Sequence, residues 1–241
     1  MKSYHNNPAL QQKALEKLQQ ALQENRVLQD KNDFYSNQYW KEGKGTVIGC
    51  ISETGELEEI AQQWGIPQQL LKIQNHIFHF LEEKKAQQFG LDFLKAIPVG
   101  VDLEPVWKQY FIWLLAEVAH STLEQLQHLE LAKIAIEQAV ATLKKMDSTP
   151  LSPEKLEGII QNISNLRRTV GQAADAGAIQ PSHAGWELAK AHWALQAILN
   201  VSFVNQFLPQ GGPSALWDFL AEQLLSFLQQ GKASQNTYYY D

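Results

Sequence analysis

The sequence predicts an all-α protein of roughly eight helices, joined by short loops into a multi-helix bundle or array. Apolar residues recur at helical spacing along most of the chain, whereas almost no segment alternates apolar and polar residues as a half-buried strand does. Proline and glycine interrupt the pattern at intervals of helix length. The 241 residues, 44% hydrophobic and 19% charged, are enough for a large core and typical of a globular protein.

An amphipathic helix is predicted over about residues 8–28, because leucines recur on one side opposite Gln, Lys and Glu. An aromatic and polar stretch, 33–40, follows it. Segment 43–50 is GKGTVIGC, and its short apolar run fits either a strand or a buried helical turn. A small β element is therefore one of the two expectations for residues 45–51.

A helical hairpin is predicted around Gly65. Three glutamates suit the first turn of its first helix, where carboxylates complement the helix dipole: Glu56, Glu58 and Glu59. Gly65 ends that helix because glycine tolerates a left-handed cap, and Pro67 opens the next helix, which continues through Leu81. Another helix covers about 86–97 before Pro98 and Gly100 break the chain.

The longest helix is predicted to begin at Asp102, a good N-cap, with Pro105 tolerated in its first turn. A broad apolar stripe follows, and the pattern continues over 129–145. The clearest break in the chain is DSTPLSP at 147–153. Three more helices are expected after this break, over about 152–166, 182–206 and 214–228.

Charge density suggests a division of the chain into two regions. Residues 1–147 hold 34 charged side chains and the remaining 94 hold 12. We therefore expect an N-terminal helical region over 1–146 and a C-terminal one over 150–230 packed on it, although the two could form one domain. Residues 231–241 have no periodicity and are expected to form a flexible tail.

The C-terminal region has many aromatic residues to bury and few charges for its surface. They are Trp186, Trp193, Phe203, Phe207, Trp217, Phe219 and Phe227. Such a region either docks tightly on the rest of the chain or buries a face in a partner. A homo-oligomer or a protein partner held through the C-terminal helices is therefore expected.

Composition also bears on compartment and partners. The net charge of −6 has the wrong sign for a protein that grips phosphate backbones along its whole surface. The single cysteine, Cys50, cannot form an intramolecular disulfide, so a cytoplasmic location is the expectation. The first residues lack the apolar stretch of a signal peptide, and the most apolar window, 110–119, is too short to cross a bilayer.

The predicted hairpin at 56–75 has the spacing of a helix-turn-helix motif, in which Gln68, Gln69, Lys72 and Asn75 would face DNA. Glutamine and asparagine can read adenine edges. The segment carries three glutamates and one lysine, however, and Gln74 stands where the motif favours an apolar residue. A plain helical hairpin is the favoured interpretation.

Two further motifs near residue 45 are weak. Gly43, Lys44, Gly45 and Thr46 echo a phosphate-binding loop, but Gln38 and Gly45 stand where that motif requires a glycine and a Ser or Thr, so a glycine turn is the better interpretation. Cys50 would be a nucleophile if a histidine reached it. The candidates are His5, His76 and His79. A buried structural thiol is the alternative that we favour.

Metal and cofactor signals are also weak. Glu117 and His120 have the Glu-x-x-His spacing of di-iron bundles, but those sites need two such pairs and two more glutamates. His76 and His79 are three residues apart on one helix and fit polar or packed positions. Trp186 and Trp193, seven apart, suit a bundle seam better than a cofactor box. We therefore predict no metal site and no cofactor.

Several short motifs occur in an order and spacing that resemble a family of uncharacterised bacterial and phage proteins. They are Tyr4-His5-Asn6-Asn7-Pro8-Ala9, Tyr39-Trp40 with Gly43-Lys44-Gly45 and Gly49-Cys50, Gly65-Ile66-Pro67, and Ile97-Pro98-Val99-Gly100. The resemblance covers about the first 120 residues. Because that family has no established activity, the resemblance implies no chemistry, only compatibility with a host or phage accessory role.

No constellation of residues forces a chemistry, so catalytic and nucleic-acid-binding residues stay unassigned. The sequence favours a non-enzymatic binding or assembly module acting through the C-terminal region. The alternatives are a helix-turn-helix-like DNA-binding regulator using residues 56–75, and an enzyme with a pocket near Cys50, where irregular backbone meets Tyr39 and Trp40.

Overall fold

A computed structural model of the protein describes residues 1–29, 39–114 and 214–235, together with the helical positions 137 and 141. The chain divides into two compact units, one formed by Met1–Trp107 with Gln210–Asp241 and the other by Lys108–Pro209. The described residues contain seven α-helices and one small two-stranded sheet, which confirms the all-α prediction.

The helices are numbered here in chain order. They are α1 (Pro8–Gln23), α2 (Val47–Ser52), α3 (Leu57–Trp64), α4 (Gln68–Phe80), α5 (Glu83–Ala96), α6 (Glu104–Trp113) and α7 (Ser214–Gln235). The antiparallel strands are β1 (Trp40–Lys41) and β2 (Lys44–Gly45). None of the helices in the described ranges is long and apolar enough to cross a membrane. The helices predicted over 152–166 and 182–206 lie outside these ranges, and of the helix predicted over 129–145 only positions 137 and 141 are described, both as helical.

Helix α1 ends at Gln23 rather than near Leu28, because the next residues are used in a sheet-like contact. Asn25 adopts a left-handed conformation, with φ of 52°, and turns the chain out of the helix. The amide of Gly45 then donates to the carbonyl of Arg26, and the amide of Leu28 donates to the carbonyl of Gly45. These long-range bonds compete with helix continuation, which the leucine spacing alone does not reveal.

The apolar run of segment 43–50 forms the buried helix α2, the second of the two alternatives, and the small β element lies just before it. Trp40 and Lys41 pair with Gly45 and Lys44, and Glu42 and Gly43 form the turn with positive φ. The predicted glycine turn is present at Gly43, whereas Gly45 belongs to β2. Helix α2 begins only two residues after the hairpin and ends at Glu53, whose φ is 58°.

The helical hairpin predicted around Gly65 is confirmed. Gly65 has φ of 64° and ends α3, with Glu58 and Glu59 in the first turn of that helix. Pro67 is the residue before α4, and α5 ends one residue before Ile97. At the start of α6, the carboxylate of Asp102 accepts a hydrogen bond from the amide of Glu104 at 3.1 Å.

Helix α7 differs from the prediction in two ways. It continues to Gln235, so residues 231–235 are helical rather than part of a frayed tail. It also belongs to the same unit as the first hundred residues, so the division expected between 146 and 150 does not coincide with the division into units. The physical reason is long-range packing of α7 on α4 and α5, which a shift in charge density does not report.

The N-terminal segment has an irregular backbone that the sequence did not reveal. Tyr4, His5 and Asn6 are all left-handed, at a cost of roughly 1–2 kcal/mol per residue. The Tyr4 hydroxyl donates to the carbonyl of Leu94 at 3.0 Å, and the amide of Val101 donates to the Ser3 hydroxyl at 3.0 Å. These buried hydrogen bonds hold the segment against the end of α5 and the loop that follows it.

Candidate helix-docking site

The site consists of one side of α4, the first turn of α5 and the helix that covers them. His76 and Phe80 are one helical turn apart on α4, so their rings lie on the same side of that helix. Their ring centroids are 5.2 Å apart. Lys85 follows in the first turn of α5. We call His76, Phe80 and Lys85 the docking face.

Trp217 of α7 packs against both rings of the docking face. Its ring stacks on Phe80 with centroids 4.4 Å apart and planes 13° apart. It meets the His76 ring edge-on, with centroids 5.3 Å apart and planes 62° apart. Trp217 is 0% exposed, so this aromatic residue from the end of the chain is part of the core. Each such aromatic pair adds about 0.5–1.5 kcal/mol beyond burial of area.

Helix α7 is amphipathic, and Trp217 belongs to its buried stripe. Its buried residues recur every three or four positions: Trp217, Leu220, Ala221, Leu224 and Leu228. Phe219 lies on another side of the helix and is 41% exposed. The contacts of Trp217 and Asp218 with α4 and α5 place the apolar stripe of α7 on its own chain. This is one of the two alternatives expected for the C-terminal aromatics.

An ion pair gives the contact a defined register. The Lys85 ammonium donates to the Asp218 carboxylate at 2.6 Å, next to the Trp217 contact. This hydrogen bond raises the pKa of Lys85 above its usual value, and the negative charge of Glu222 on α7 acts in the same direction. The pair is solvent-exposed, so it contributes more to orientation and specificity than to stability.

Burial sets the charge state of His76. It lowers the pKa of His76 to about 3, and the neighbouring His79 contributes in the same direction. The imidazole is therefore neutral at pH 7 and packs as an aromatic ring. Protonating it requires a cation in the apolar contact between α4 and α7.

The residues of the predicted DNA-reading side lie on this same helix. Gln69, Lys72, His76 and Phe80 follow one another at helical spacing along α4, and α7 covers the last two. Gln68, Gln69, Lys72 and Asn75 are half-buried, and no residue of α4 is fully exposed. Burial lowers the pKa of Lys72. A recognition helix presents an open side to the major groove, which α4 does not have in this conformation.

The thiol of Cys50 is buried against backbone carbonyl groups. It is 1% exposed, and its Sγ is 3.4 Å from the carbonyl oxygen of Gly45 and 3.5 Å from that of Arg26. Burial raises the pKa of the thiol to about 11. The candidate partner His5 instead makes a 2.8 Å hydrogen bond with the carbonyl of Gln62. A neutral, buried thiol of this kind is a poor nucleophile.

Trp40, which was predicted to lie near a pocket at Cys50, packs against the cationic side chain of Arg26. The Arg26 guanidinium lies 5.8 Å from the centre of the Trp40 ring, and its Nε donates to Glu24 at 2.5 Å. Tyr39 is buried, and its carbonyl accepts a hydrogen bond from the amide of Thr46 at 2.9 Å. These contacts fix the hairpin against the start of α2.

Two buried polar groups stand apart from the docking face. Gln74 is 0% exposed, and within the described residues neither its amide nitrogen nor its amide oxygen has a hydrogen-bond partner. The same is true of the Thr46 hydroxyl at the start of α2. The sequence pattern singled out Gln74 as an unusual residue for a core position, and the structure places it there.

The described ranges contain no group of three or more His, Cys, Asp and Glu residues arranged to hold a metal ion. Glu117, His120, Trp186 and Trp193 lie outside those ranges. The motifs that carry the family resemblance come together in part: the backbone of Lys2 and Tyr4 lies against Gly65, and the Asn6 side chain lies against Gly100.

Comparison with known proteins found no matching family model, no matching curated protein and no matching solved structure.

Proposed function

We propose that this protein is a non-enzymatic binding and assembly module that recognises an amphipathic helix on the docking face of α4 and α5. The seating of Trp217 against Phe80 and His76 is the observation that carries this proposal. In a helix-in-groove contact, apolar anchors at helical spacing enter a complementary surface, and α7 supplies such anchors.

The chemistry of the docking face defines its ligand. The two rings of α4 favour a tryptophan, because flat aromatic surfaces pack on one another with little conformational entropy lost. The ammonium of Lys85 favours a carboxylate one position after that tryptophan, as Asp218 provides. Leucines at the positions of Leu220, Leu224 and Leu228 extend the apolar contact.

A labelled peptide of residues 214–235 tests the proposal. In the wild-type chain α7 competes for the docking face, whereas Trp217→Ala weakens that internal competitor by about 3–5 kcal/mol. We expect the peptide to bind the full-length Trp217→Ala chain at least about tenfold more tightly than the wild-type chain. Fluorescence anisotropy measures both affinities, and circular dichroism confirms that the variant is folded.

Two peptide variants serve as matched controls. Trp217→Ala in the peptide should abolish binding, because it removes the ring that stacks on Phe80. Gln229→Ala should have little effect, because Gln229 lies outside the buried stripe of α7 and is exposed. Equal binding of the two variants, or no binding by a folded Trp217→Ala chain, would contradict the proposed function.

DNA binding by residues 56–75 is the second candidate, and the left-handed turn at Gly65 between α3 and α4 favours it. It requires Gln69 and Lys72 to contact the nucleic acid. Replacing both with Ala should then abolish affinity for duplex DNA in an electrophoretic mobility assay. Unchanged affinity in the double variant would eliminate this candidate.

A further inference from the structure

We infer that the partner of the docking face is a second copy of this chain, which inserts its own α7 in place of the resident helix. The inference rests on the proposed function and adds the identity of the partner. The same chain carries both the docking face and the helix that fits it, so a reciprocal exchange between two copies reproduces the contacts of Trp217 with Phe80 and of Lys85 with Asp218.

The contacts that hold α7 on the docking face favour exchange as a unit. They are side-chain contacts along one stripe of a single terminal helix: the stacked Trp217, the buried leucines and the Lys85–Asp218 pair. Helix α7 keeps its own backbone hydrogen bonds when it leaves. Exchange therefore does not require any other helix of the unit to unfold.

Position in the chain also favours exchange. Residues 108–209 form the other unit and separate α7 from the rest of its own unit. No short loop therefore ties α7 to its own docking face, so a short tether does not favour the resident helix over that of a second copy.

Charge complementarity specifies this partner. The docking face presents the Lys85 cation, and α7 presents Asp218 and Glu222 beside its tryptophan. Two exchanged copies form the Lys85–Asp218 pair twice, related by two-fold symmetry. Such an isologous contact closes at two chains and does not propagate into fibres.

Cross-linking between two variant chains tests the exchange. Full-length Lys85→Cys and Asp218→Cys chains are mixed, unfolded together in urea, refolded and treated with a short bismaleimide. Neither chain holds both new thiols, so their covalent dimer requires Lys85→Cys of one copy to lie beside Asp218→Cys of another. Native Cys50 is buried, with a raised thiol pKa, and does not compete.

Replacing Asp218→Cys with Gln230→Cys provides the control, because Gln230 is exposed on α7 but lies three turns farther along the helix. We expect several-fold more covalent dimer with Asp218→Cys. Equal yields with the two α7 variants would indicate random collision and overturn the inference. Absence of dimer in both mixtures would also overturn it.

Charge reversal gives a second, chemically independent measurement. Lys85→Glu and Asp218→Lys chains each place like charges together, whereas their exchanged heterodimer restores both ion pairs. We expect light scattering to give a higher average mass for the mixture than for either variant alone, and equal masses would count against exchange. If the 214–235 peptide binds but neither mixing experiment shows exchange, the proposed function stands and this inference is wrong.

Discussion

Gln74 shows how a single buried side chain can cost stability. Both polar atoms of its amide are buried without a hydrogen-bond partner in the described structure, which costs about 1–3 kcal/mol relative to a satisfied or apolar group. Gln74→Met has a similar shape and removes the polar atoms. We expect it to raise the free energy of unfolding by at least about 1 kcal/mol in urea denaturation.

The exposed Gln63 provides the control for this prediction. Gln63→Met changes no buried group and should leave the free energy of unfolding within about 0.5 kcal/mol of the wild-type value. A loss of stability in Gln74→Met would show instead that the amide is satisfied, for example by an internal water molecule.

The thiol of Cys50 is expected to be unreactive. A pKa raised by burial from 9.0 to about 11 lowers the thiolate fraction at neutral pH about a hundredfold, and only the thiolate attacks. Iodoacetamide should therefore modify the folded chain much more slowly than the urea-unfolded chain, as measured by mass spectrometry. Rapid modification of the folded chain would favour the enzyme alternative near Cys50.

At the scale of elements, the hairpin and α2 depend on close backbone contact. A Cβ atom on Gly45 or Gly49 would overlap the carbonyl oxygen of Tyr39. The same carbonyl accepts the hydrogen bond from Thr46 and has little freedom to move. The spacing Gly-x-x-x-Gly in this segment therefore has a packing role, which the sequence alone did not distinguish from a weak phosphate-loop motif.

We expect Gly49→Ala to lower the free energy of unfolding by about 1–3 kcal/mol, because the backbone of β1 must shift to admit the methyl group. Gly55→Ala meets only an ordinary contact, at 3.4 Å from the carbonyl of Trp40, and should be tolerated. Urea denaturation of both variants measures the difference. Equal stability would show that Tyr39 moves without cost.

The contact between α4 and α7 should weaken in acid. The pKa of His76 is near 6.5 in the unfolded chain and about 3 in the folded chain, so the unfolded chain binds a proton first as the pH falls. The contribution of neutral His76 to the free energy of unfolding is therefore fully present above about pH 6.5 and decreases as the pH falls below that value. Between pH 6 and 4.5 we expect a loss of about 1 kcal/mol per pH unit.

His76→Phe separates this effect from the titration of carboxylates. The variant keeps an aromatic ring against Trp217 but cannot be protonated, so its stability should change less over the same pH range. Urea denaturation at several pH values gives both slopes. Parallel slopes for the two proteins would show that another group dominates.

At the scale of the whole molecule, α7 joins a segment after residue 210 to α4 and α5, more than a hundred residues earlier in the chain. Light scattering at increasing concentration should show full-length chains passing from one copy toward two, because exchange of α7 depends on concentration. Gln229→Ala retains the buried stripe and should behave as the wild type does.

A monomer at every concentration would mean that α7 serves only its own core. That result would exclude α7 as the means of self-association. It would not bear on peptide binding to the docking face, which is measured separately.

Local patterns in the sequence determined most of the described helices. The residues that begin and end these helices act within one turn of their own positions, so the helix ends can be predicted from neighbouring residues. Examples are Gly65, Pro67 and Asp102. The helical spacing of apolar residues likewise predicted α1, α3, α4 and α5 with small errors at their ends. These are short-range consequences of backbone geometry and burial.

Only the tertiary structure decided which faces meet. Three contacts join residues that are distant in the chain. Gly45 pairs with Arg26 and Leu28, the Tyr4 hydroxyl bonds to Leu94, and Trp217 packs on α4. Periodicity shows that a helix has an apolar side but not what covers it. The docking face therefore became visible only when α7 was placed on it, because its specificity comes from rings and charges that are 133 residues or more apart in the chain.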